Sequence, residues 1–142
     1  MLVLHVMQPS PETIAPGATV AEAARRMRDR GVGALLVVDA GGLVGLVTDR
    51  DLTVRNLAET ADPHQAVGSI MTRDPVCVRP ESPVERAEEL MSEFRVKRLP
   101  VCDERGLHGI ITQTDIARHC GHEEAGALLE ARVHVASRHR PT

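Results

Sequence analysis

The chain contains an internal repeat with a period of 64 residues. When residues 7–52 are moved forward by 64 positions, they align with residues 71–116 without a gap, and fifteen of the 46 aligned pairs are identical. The identical pairs include Met7/Met71, Pro16/Pro80, Gly45/Gly109, Thr48/Thr112 and Asp51/Asp115. A fixed period of this kind predicts two copies of one supersecondary unit. Each copy is too small to bury a good core alone, so we expect the copies to pack face to face, with functional clefts between them.

Composition narrows the class of protein. The 142 residues are 42% hydrophobic and 26% charged, which is ordinary for a globular chain. The net charge of −3 argues against nucleic acid as the main partner. The longest apolar stretch, around residues 32–38, is too short to span a bilayer, and the first residues do not resemble a signal peptide. We therefore expect a cytoplasmic protein without a membrane partner.

Aromatic residues are nearly absent. Phe94 is the one aromatic residue, so the core must be built from aliphatic side chains and methionine. The spacing of Phe94 with Val84, Ala87 and Met91 predicts that it lies on the core face of a helix. A bound nucleobase would then be held between aliphatic side chains.

Each repeat predicts the order β-α-β-β-α. A short strand comes first, and the pairs Thr19/Glu22 and Ser82/Glu85 have the spacing of a capping box at the start of a helix. An apolar run, a glycine-containing turn and a second apolar run then predict a β-hairpin. A second helix is predicted to start at the threonine that follows each hairpin.

The predicted boundaries follow this order along the chain. The first unit is assigned to residues 5–60 and the second to residues 73–121. Residues 61–72 are predicted to form a linker helix capped by Asp62, with Pro63 and Gln65 in its first turn. A C-terminal helix is predicted over residues 122–136, followed by a disordered tail over residues 137–142.

One motif, Gly-x-x-Thr-x-x-Asp, recurs at the end of each hairpin. It reads GLVTDRD over residues 45–51 and GIITQTD over residues 109–115, and the stretch VKRLPV precedes the second hairpin. With the β-α-β-β-α order, these residues resemble the CBS domain, and two in tandem resemble a CBS pair, or Bateman module. The chain also resembles small stand-alone bacterial CBS-pair proteins, including the mycobacterial hypoxic response protein type. The resemblance implies an α/β (α+β) fold in which two units pack by pseudo-two-fold symmetry.

The resemblance also implies a regulatory ligand, an adenosine-containing molecule such as AMP, ATP or S-adenosylmethionine. By the family pattern, Asp51 and Asp115 would accept hydrogen bonds from ribose hydroxyls. Thr48 and Thr112 would lie beside ribose or phosphate, and Lys97 and Arg98 would face phosphate. The chemistry is sound, because carboxylates accept bonds from hydroxyls and arginine grips phosphate. The alternative is structural, since Thr-x-x-Asp is itself a capping box.

The two copies differ at the phosphate-binding positions. Lys97 and Arg98 of the second copy correspond to Gly33 and Ala34 of the first. We therefore predict that the cleft of the second copy, with Arg98, Thr112 and Asp115, binds an adenine nucleotide better than the cleft of the first copy.

Two cysteines form a candidate redox pair. Cys77 and Cys102 fall on the first and second strands of the second unit, which are parallel neighbours in the resembled fold. Their sulfurs are therefore predicted to lie close together and to form a labile disulfide on oxidation. The alternative is a pair of inert thiols in a reducing compartment.

A histidine- and cysteine-containing segment follows the second unit. His119, Cys120 and His122 are candidate metal ligands, but zinc commonly takes four ligands and no second pair is evident. The alternative is that these residues end a helix, where a protonated histidine is stabilised by the negative end of the helix dipole.

No catalytic motif is present, so we expect a regulatory protein that is not an enzyme and has no cofactor beyond the regulatory nucleotide. A redox- or metal-responsive stress protein on the same fold is the alternative. The effector protein is not indicated by the sequence. A homodimer is predicted through an apolar patch formed by Val20, Ala24, Leu52, Leu57 and Ile116.

Overall fold

The computed structural model describes residues 1–119, so the predicted C-terminal helix and tail lie outside the described residues. Seven strands occur in this part of the chain: β1 Gln8–Pro9, β2 Thr13–Ile14, β3 Ala34–Asp39, β4 Gly42–Thr48, β5 Thr72–Arg73, β6 Arg98–Asp103 and β7 Gly106–Thr112. The helices are α1 Val3–Val6, α2 Val20–Arg30, α3 Asp49–Asp51 with a π-helical continuation over Leu52–Leu57, α4 Val84–Phe94 and α5 Gln113–His119. The predicted mixed fold with two hairpin units is confirmed.

The strands form two sheets, one for each repeat. The first has the order β2-β3-β4-β5 and the second the order β1-β7-β6. β2 runs parallel to β3, and in the second unit the equivalent contact is a single parallel bridge between Val78 and Val101. Each hairpin carries a register shift at the same repeat position, between Val37 and Val38 and between Val101 and Cys102.

The first long helix of each repeat starts differently. The Oγ1 atom of Thr19 accepts a hydrogen bond of 3.1 Å from the backbone N–H of Glu22, so the predicted cap of α2 is confirmed. Pro83 occupies the equivalent position before α4 and makes no side-chain cap. The predicted cap by Ser82 is therefore wrong by one residue. Pro83 stands instead at the non-helical position before the first turn.

Short segments are exchanged between the two units. β1 pairs with β7 of the second sheet, and Val3 and Val6 of α1 lie in the core of the second unit. β5 pairs with β4 of the first sheet, and Ile70 and Met71 lie in the core of the first unit. The predicted boundaries at residues 5–60 and 73–121 follow chain order. In the packed structure, however, the segment that precedes each unit in the chain belongs to the core and sheet of the other unit.

The exchange explains why glycine is repeated at Gly45 and Gly109. A Cβ atom on Gly109 would lie 2.5 Å from the carbonyl oxygen of Gln8, which belongs to the exchanged strand β1. A Cβ atom on Gly45 would lie 3.0 Å from the carbonyl oxygen of Thr72, in the exchanged strand β5, and would clash with the side chain of Met71. Both strands can approach the hairpin this closely because no side chain intervenes.

The predicted linker helix over residues 61–72 is wrong. This segment contains a single 3₁₀ turn at Val67–Ser69, preceded by turns. The buried side chain of Asn56 explains the irregular path, because its Nδ2 atom donates to the carbonyl oxygen of Asp62 at 2.9 Å and to Oε1 of Gln65 at 2.6 Å. These bonds fix the segment in turns and use Gln65, the residue expected to close a capping box.

The two sheets pack against each other through an apolar cluster. Leu36 and Leu46 of the first sheet and Ile110 of the second form its buried part, and all three are at most 9% exposed. The predicted face-to-face packing is therefore confirmed. This interface places the ends of the hairpin strands of one unit beside the loops of the other. Among the described residues, no helix has the length and apolar character needed to cross a membrane.

Candidate functional site

Two clefts flank the packed sheets. The first cleft has a volume of about 550 Å³ and is lined by residues of both units, among them Thr48, Asp49, Asp51, Thr72, Phe94, Arg95, Lys97 and Arg98. The second cleft has a volume of about 370 Å³ and includes Gln8, Glu12, Gly33, Ala34, Arg98 and Thr112. Repeat positions correspond between the clefts, since Thr48 matches Thr112 and Thr72 matches Gln8.

Each cleft combines the threonine of the Thr-x-x-Asp motif of one unit with the loop before the hairpin of the other, and the first cleft also includes the motif aspartate, Asp51. Lys97 and Arg98 therefore share the first cleft with Thr48 and Asp51. Arg98 also lines the second cleft beside Thr112, so the predicted grouping of these two residues is confirmed, whereas Asp115 is not among the lining residues of that cleft. Which cleft binds a nucleotide better stays a prediction. The sequence shows which residues belong to each copy, but the packing of the copies decides which of them face each other.

The two Thr-x-x-Asp motifs form the same reciprocal cap. The hydroxyl of Thr48 accepts from the N–H of Asp51 at 3.1 Å, and the carboxylate of Asp51 accepts from the N–H of Thr48 at 2.9 Å. Thr112 and Asp115 make the equivalent bonds at 3.0 and 2.9 Å. Both motifs therefore act as helix caps, as the structural alternative predicted. A ligand-binding role in addition depends on the carboxylate oxygen of each aspartate that takes no part in the cap.

That remaining oxygen differs between the two aspartates. The Oδ1 atom of Asp115 accepts a hydrogen bond of 2.9 Å from Nε2 of Gln8, and Asp115 is only 4% exposed. The Oδ1 atom of Asp51 lies 3.6 Å from Nε of Arg55, and its side chain is 14% exposed in the first cleft. The difference follows from the exchanged strands. Thr72 occupies the repeat position of Gln8, and its side chain is too short to donate the equivalent hydrogen bond to Asp51. The remaining oxygen of Asp115 is therefore buried and hydrogen-bonded, whereas that of Asp51 makes only a long ion pair with Arg55, and Asp51 lines the first cleft.

Arg98 lies between the two clefts and lines both. A Cβ atom on Gly33 would lie 3.6 Å from Nη1 of Arg98 and 3.2 Å from Oδ2 of Asp49, so both charged groups approach this glycine. Gly33 is the repeat counterpart of Lys97. Its lack of a side chain leaves the space into which Arg98 of the second unit reaches across the interface.

The first cleft has an acidic side and a basic side. Asp49 and Asp51 come from the start of α3, whereas Arg95, Lys97 and Arg98 come from the segment between α4 and β6. The sequence motifs did not indicate Asp49 or Arg95. In the sequence, each is only a charged residue next to a residue of a motif, and charged residues of this kind are common on solvated surfaces.

Phe94 does not lie in the core. Its side chain is 48% exposed and lines the first cleft, so the predicted core position is wrong. The neighbouring core predictions are confirmed, because Val84, Ala87 and Met91 are at most 7% exposed. Phe94 is the last residue of α4, and Arg95 in the left-handed conformation ends the helix.

Comparison with known proteins identifies the fold. The family model described as the CBS domain matches residues 3–55 and 67–122. This chain belongs to the CBS domain family. The two matches make it a CBS pair, which is a regulatory module.

Several relatives share the arrangement. The CBS domain-containing protein YhcV of Bacillus subtilis is 36% identical over 118 residues, which cover 82% of this chain and 84% of YhcV. Hypoxic response protein 1 of Mycobacterium tuberculosis is 38% identical over 103 residues, covering 71% of this chain and 72% of that protein. Inosine-5′-monophosphate dehydrogenase of Korarchaeum cryptofilum is 36% identical over 126 residues, but these cover only 25% of the enzyme. The enzyme's activity therefore does not transfer to this CBS pair.

Solved structures of similar proteins contain different ligands. Hypoxic Response Protein I with two coordinated zinc ions has a TM-score of 0.77 and 30% identity, covering 85% of this chain and 100% of its own. The CBS pair of MJ0100 in complex with 5′-methylthioadenosine and S-adenosyl-L-methionine has a TM-score of 0.76 and 30% identity, covering 83% and 94%. CBSX2 in complex with AMP has a TM-score of 0.71 and 30% identity, covering 92% and 98%.

The candidate metal ligands are only partly described. Cys120 and His122 lie outside the described residues. His119 ends α5, and its Nδ1 atom lies 2.8 Å from the carbonyl oxygen of Asp115. Within residues 1–119, no group of three or more histidine, cysteine, aspartate or glutamate side chains is placed to hold a metal ion. The metal site remains a prediction.

The two candidate redox cysteines lie together. The Sγ atoms of Cys77 and Cys102 are 3.0 Å apart, and both thiols are free. Their predicted proximity is confirmed, and it follows from the parallel bridge between the adjacent residues Val78 and Val101.

Proposed function

We propose that this CBS pair is a sensor that binds an adenine nucleotide in the first cleft and passes its binding state to an effector protein. The observation that supports this most strongly is the juxtaposition of Asp51 with Lys97 and Arg98 in one cleft. An acceptor for ribose hydroxyls and donors for phosphate thus lie within a single cavity. The cleft volume of about 550 Å³ falls within the range of pockets that hold small ligands.

Asp51 would bind the ribose. Its Oδ2 atom is engaged by the cap, whereas Oδ1 makes only a 3.6 Å ion pair with the half-exposed Arg55 and can still accept hydrogen bonds from ribose hydroxyls. Asp115 is less available, because it is only 4% exposed and its Oδ1 atom already accepts a hydrogen bond from Gln8. The ribose would therefore bind to the first unit, and Asp115 would serve as a structural cap.

The second unit would bind the phosphate and part of the base. Arg95, Lys97 and Arg98 place positive charge on one side of the cleft, and charge-assisted bonds to phosphate are stronger than neutral ones. The apolar walls come from Leu46, Val76, Val96 and the exposed ring of Phe94. In the second cleft, Arg98 is the only cation among the lining residues described, and Glu12 adds a negative charge.

The comparisons support this ligand class. MJ0100 binds adenosine-containing molecules and CBSX2 binds AMP, each on a fold like that of this chain. These relatives support the kind of ligand, whereas the individual contacts follow from the geometry of this chain.

Signalling would follow from the shared cleft. A nucleotide held by Asp51 on one unit and by Arg98 on the other favours the arrangement of the units in which both contacts form. A ligand shifts a conformational equilibrium by its difference in affinity for the two states. An effector protein would bind preferentially to the favoured arrangement.

Calorimetric titration tests the proposal. We expect AMP, ADP, ATP or S-adenosylmethionine to bind once per chain, and AMP to bind more tightly than adenosine because the phosphate meets the basic side of the cleft. The chain has no Trp or Tyr, so a copurified nucleotide would dominate the ultraviolet absorbance. Absence of a 260 nm band together with no heat from any of these ligands at millimolar concentration would contradict the proposal.

A homodimer is also proposed, with a patch that differs from the predicted one. Val20 and Ile116 are buried in the two cores, so their assignment to the patch is wrong, and Leu52 packs partly against the first core. Val54 and Leu57 are 48% and 65% exposed and lie three residues apart on the π-helical segment.

We expect light scattering to give twice the 15.4 kDa mass of one chain for the unaltered protein, and Leu57→Glu to give the mass of one chain. A monomer mass for the unaltered protein at micromolar concentration would contradict this.

A further inference from the structure

We propose that Cys77 and Cys102 form a redox-modification site, a dithiol that a hydroperoxide oxidises to an intramolecular disulfide and that a reducing dithiol restores. The site is separate from the nucleotide-binding proposal. It lies in a third cleft, of about 660 Å³, formed by the two hairpin turns and the segment before Val78.

Backbone hydrogen bonds hold the two sulfurs in place. The N–H of Cys102 donates to the carbonyl oxygen of Val78 at 3.0 Å, and the N–H of Val78 donates to the carbonyl oxygen of Pro100 at 3.0 Å. These bonds fix the two chain segments on either side of the thiols, whose Sγ atoms are 3.0 Å apart. A disulfide bond is about 2.05 Å long, so its formation needs an approach of about 1 Å rather than a rearrangement of the fold.

The thiols are accessible to a small oxidant. Cys77 is exposed and Cys102 is half-buried, and both line the third cleft. Cysteines that serve only as small apolar core residues are among the most buried of all residue types. Their exposure in a cleft is what a reactive site requires.

The pair is polarised, so the two cysteines have different roles. The thiol of Cys102 donates to the sulfur of Cys77, and this hydrogen bond lowers the pKa of Cys77. The pKa of Cys102 is raised by the same hydrogen bond, by burial and by the nearby charge of Asp103. Asp103 stays ionised because its hydrogen bond with His108 lowers the pKa of this carboxyl group. Cys77 is also the more exposed of the two cysteines, so we assign it the attacking role and Cys102 the resolving role.

The oxidation has two balanced steps. The thiolate of Cys77 attacks the terminal oxygen of the hydroperoxide, the O–O bond breaks, and the remaining alkoxide leaves as the alcohol after taking a proton. Cys102 then attacks the sulfur of the resulting sulfenic acid, the S–O bond breaks, and hydroxide leaves as water with the proton of Cys102. The two thiols lose two electrons in total, and the hydroperoxide gains them. A reducing dithiol returns them through a mixed disulfide.

Mass spectrometry after peroxide treatment tests the site in protein carrying Cys120→Ser, which removes the third cysteine. We expect hydrogen peroxide to remove both alkylatable thiols, to lower the mass of the monomeric chain by two hydrogens and to yield a linked Cys77–Cys102 peptide. Dithiothreitol should reverse all three changes. Thiols that stay alkylatable, that link two chains, or that proceed to sulfinic acid without a disulfide would overturn the proposal.

Single substitutions separate the two roles in the same background. Cys102→Ser removes the resolving thiol, so the sulfenic acid of Cys77 should persist and react with dimedone. Cys77→Ser should show no dimedone adduct on Cys102 under the same conditions. Equal reaction of both variants would overturn the assigned roles, because it would show no polarisation between the sulfurs. Circular dichroism of each variant confirms that the fold is retained.

Discussion

Asp51→Ala is expected to weaken AMP binding roughly tenfold to a hundredfold, whereas Asp115→Ala should leave AMP binding unchanged. Hydrogen bonds to a charged group contribute about 1.5–3 kcal/mol, and loss of the ribose contact therefore predicts a change of this size. Asp51 lines the first cleft and its Oδ1 atom makes only a 3.6 Å ion pair with Arg55, while both oxygens of Asp115 accept hydrogen bonds, from Thr112 and Gln8. Calorimetric titration of both variants with AMP gives the comparison.

The two aspartate variants are matched controls for each other. Both substitutions remove the same reciprocal cap, made with Thr48 in one unit and with Thr112 in the other. A difference in affinity therefore does not come from the cap; it reports the ligand contact together with the ion pair between Asp51 and Arg55. Chemical denaturation should show the opposite order, with Asp115→Ala the less stable variant, because the amide of Gln8 also loses its partner. Loss of AMP binding in Asp115→Ala but not in Asp51→Ala would place the nucleotide in the other cleft.

Gly109→Ala is expected to destabilise the protein by about 1–3 kcal/mol, the usual cost of forcing extra atoms into a packed site. The added methyl group would lie 2.5 Å from the carbonyl oxygen of Gln8, so β1 would have to move away from β7. Such a shift also disturbs the hydrogen bond between Gln8 and Asp115. The free energy of unfolding, measured by urea denaturation, gives the effect.

Two other glycine substitutions calibrate this result. Gly45→Ala should destabilise less, because its severe contact is with the flexible side chain of Met71 and its backbone contact is longer, at 3.0 Å. Gly17→Ala should be nearly neutral, because a Cβ atom there meets nothing within 4 Å. Equal stability of Gly109→Ala and Gly17→Ala would contradict the exchange of β1 into the second unit.

The repeat made much of the fold predictable. The identical residues at 64-residue spacing mark the hairpins, and the apolar runs and turns are local signals that need no knowledge of the packing. The caps at Thr19, Thr48 and Thr112 were predictable for the same reason, since each depends on residues three positions apart. Proximity of Cys77 and Cys102 followed from the resemblance to the family, because it depends on which strands are neighbours.

The composition of the site depends on contacts between the copies, which the sequence does not show. Lys97 follows a helix of the second unit but lines the same cleft as Thr48 and Asp51 of the first, and Arg98 lines both clefts. The role of Gln8 was hidden because it lies 107 residues from Asp115 and belongs to an exchanged strand. Helical spacing placed Phe94 in the core, although at the last residue of a helix this spacing no longer determines which side is buried.

A crystal structure of the protein with AMP tests the central proposal most directly, because the proposal assigns each part of the ligand to a different unit. We predict one AMP in the first cleft, with its ribose hydroxyls on the carboxylate of Asp51 and its phosphate on Arg98 and Lys97, and with the hydrogen bond from Gln8 to Asp115 intact. AMP in the second cleft, with its ribose on Asp115 and Gln8 displaced, would contradict the proposal.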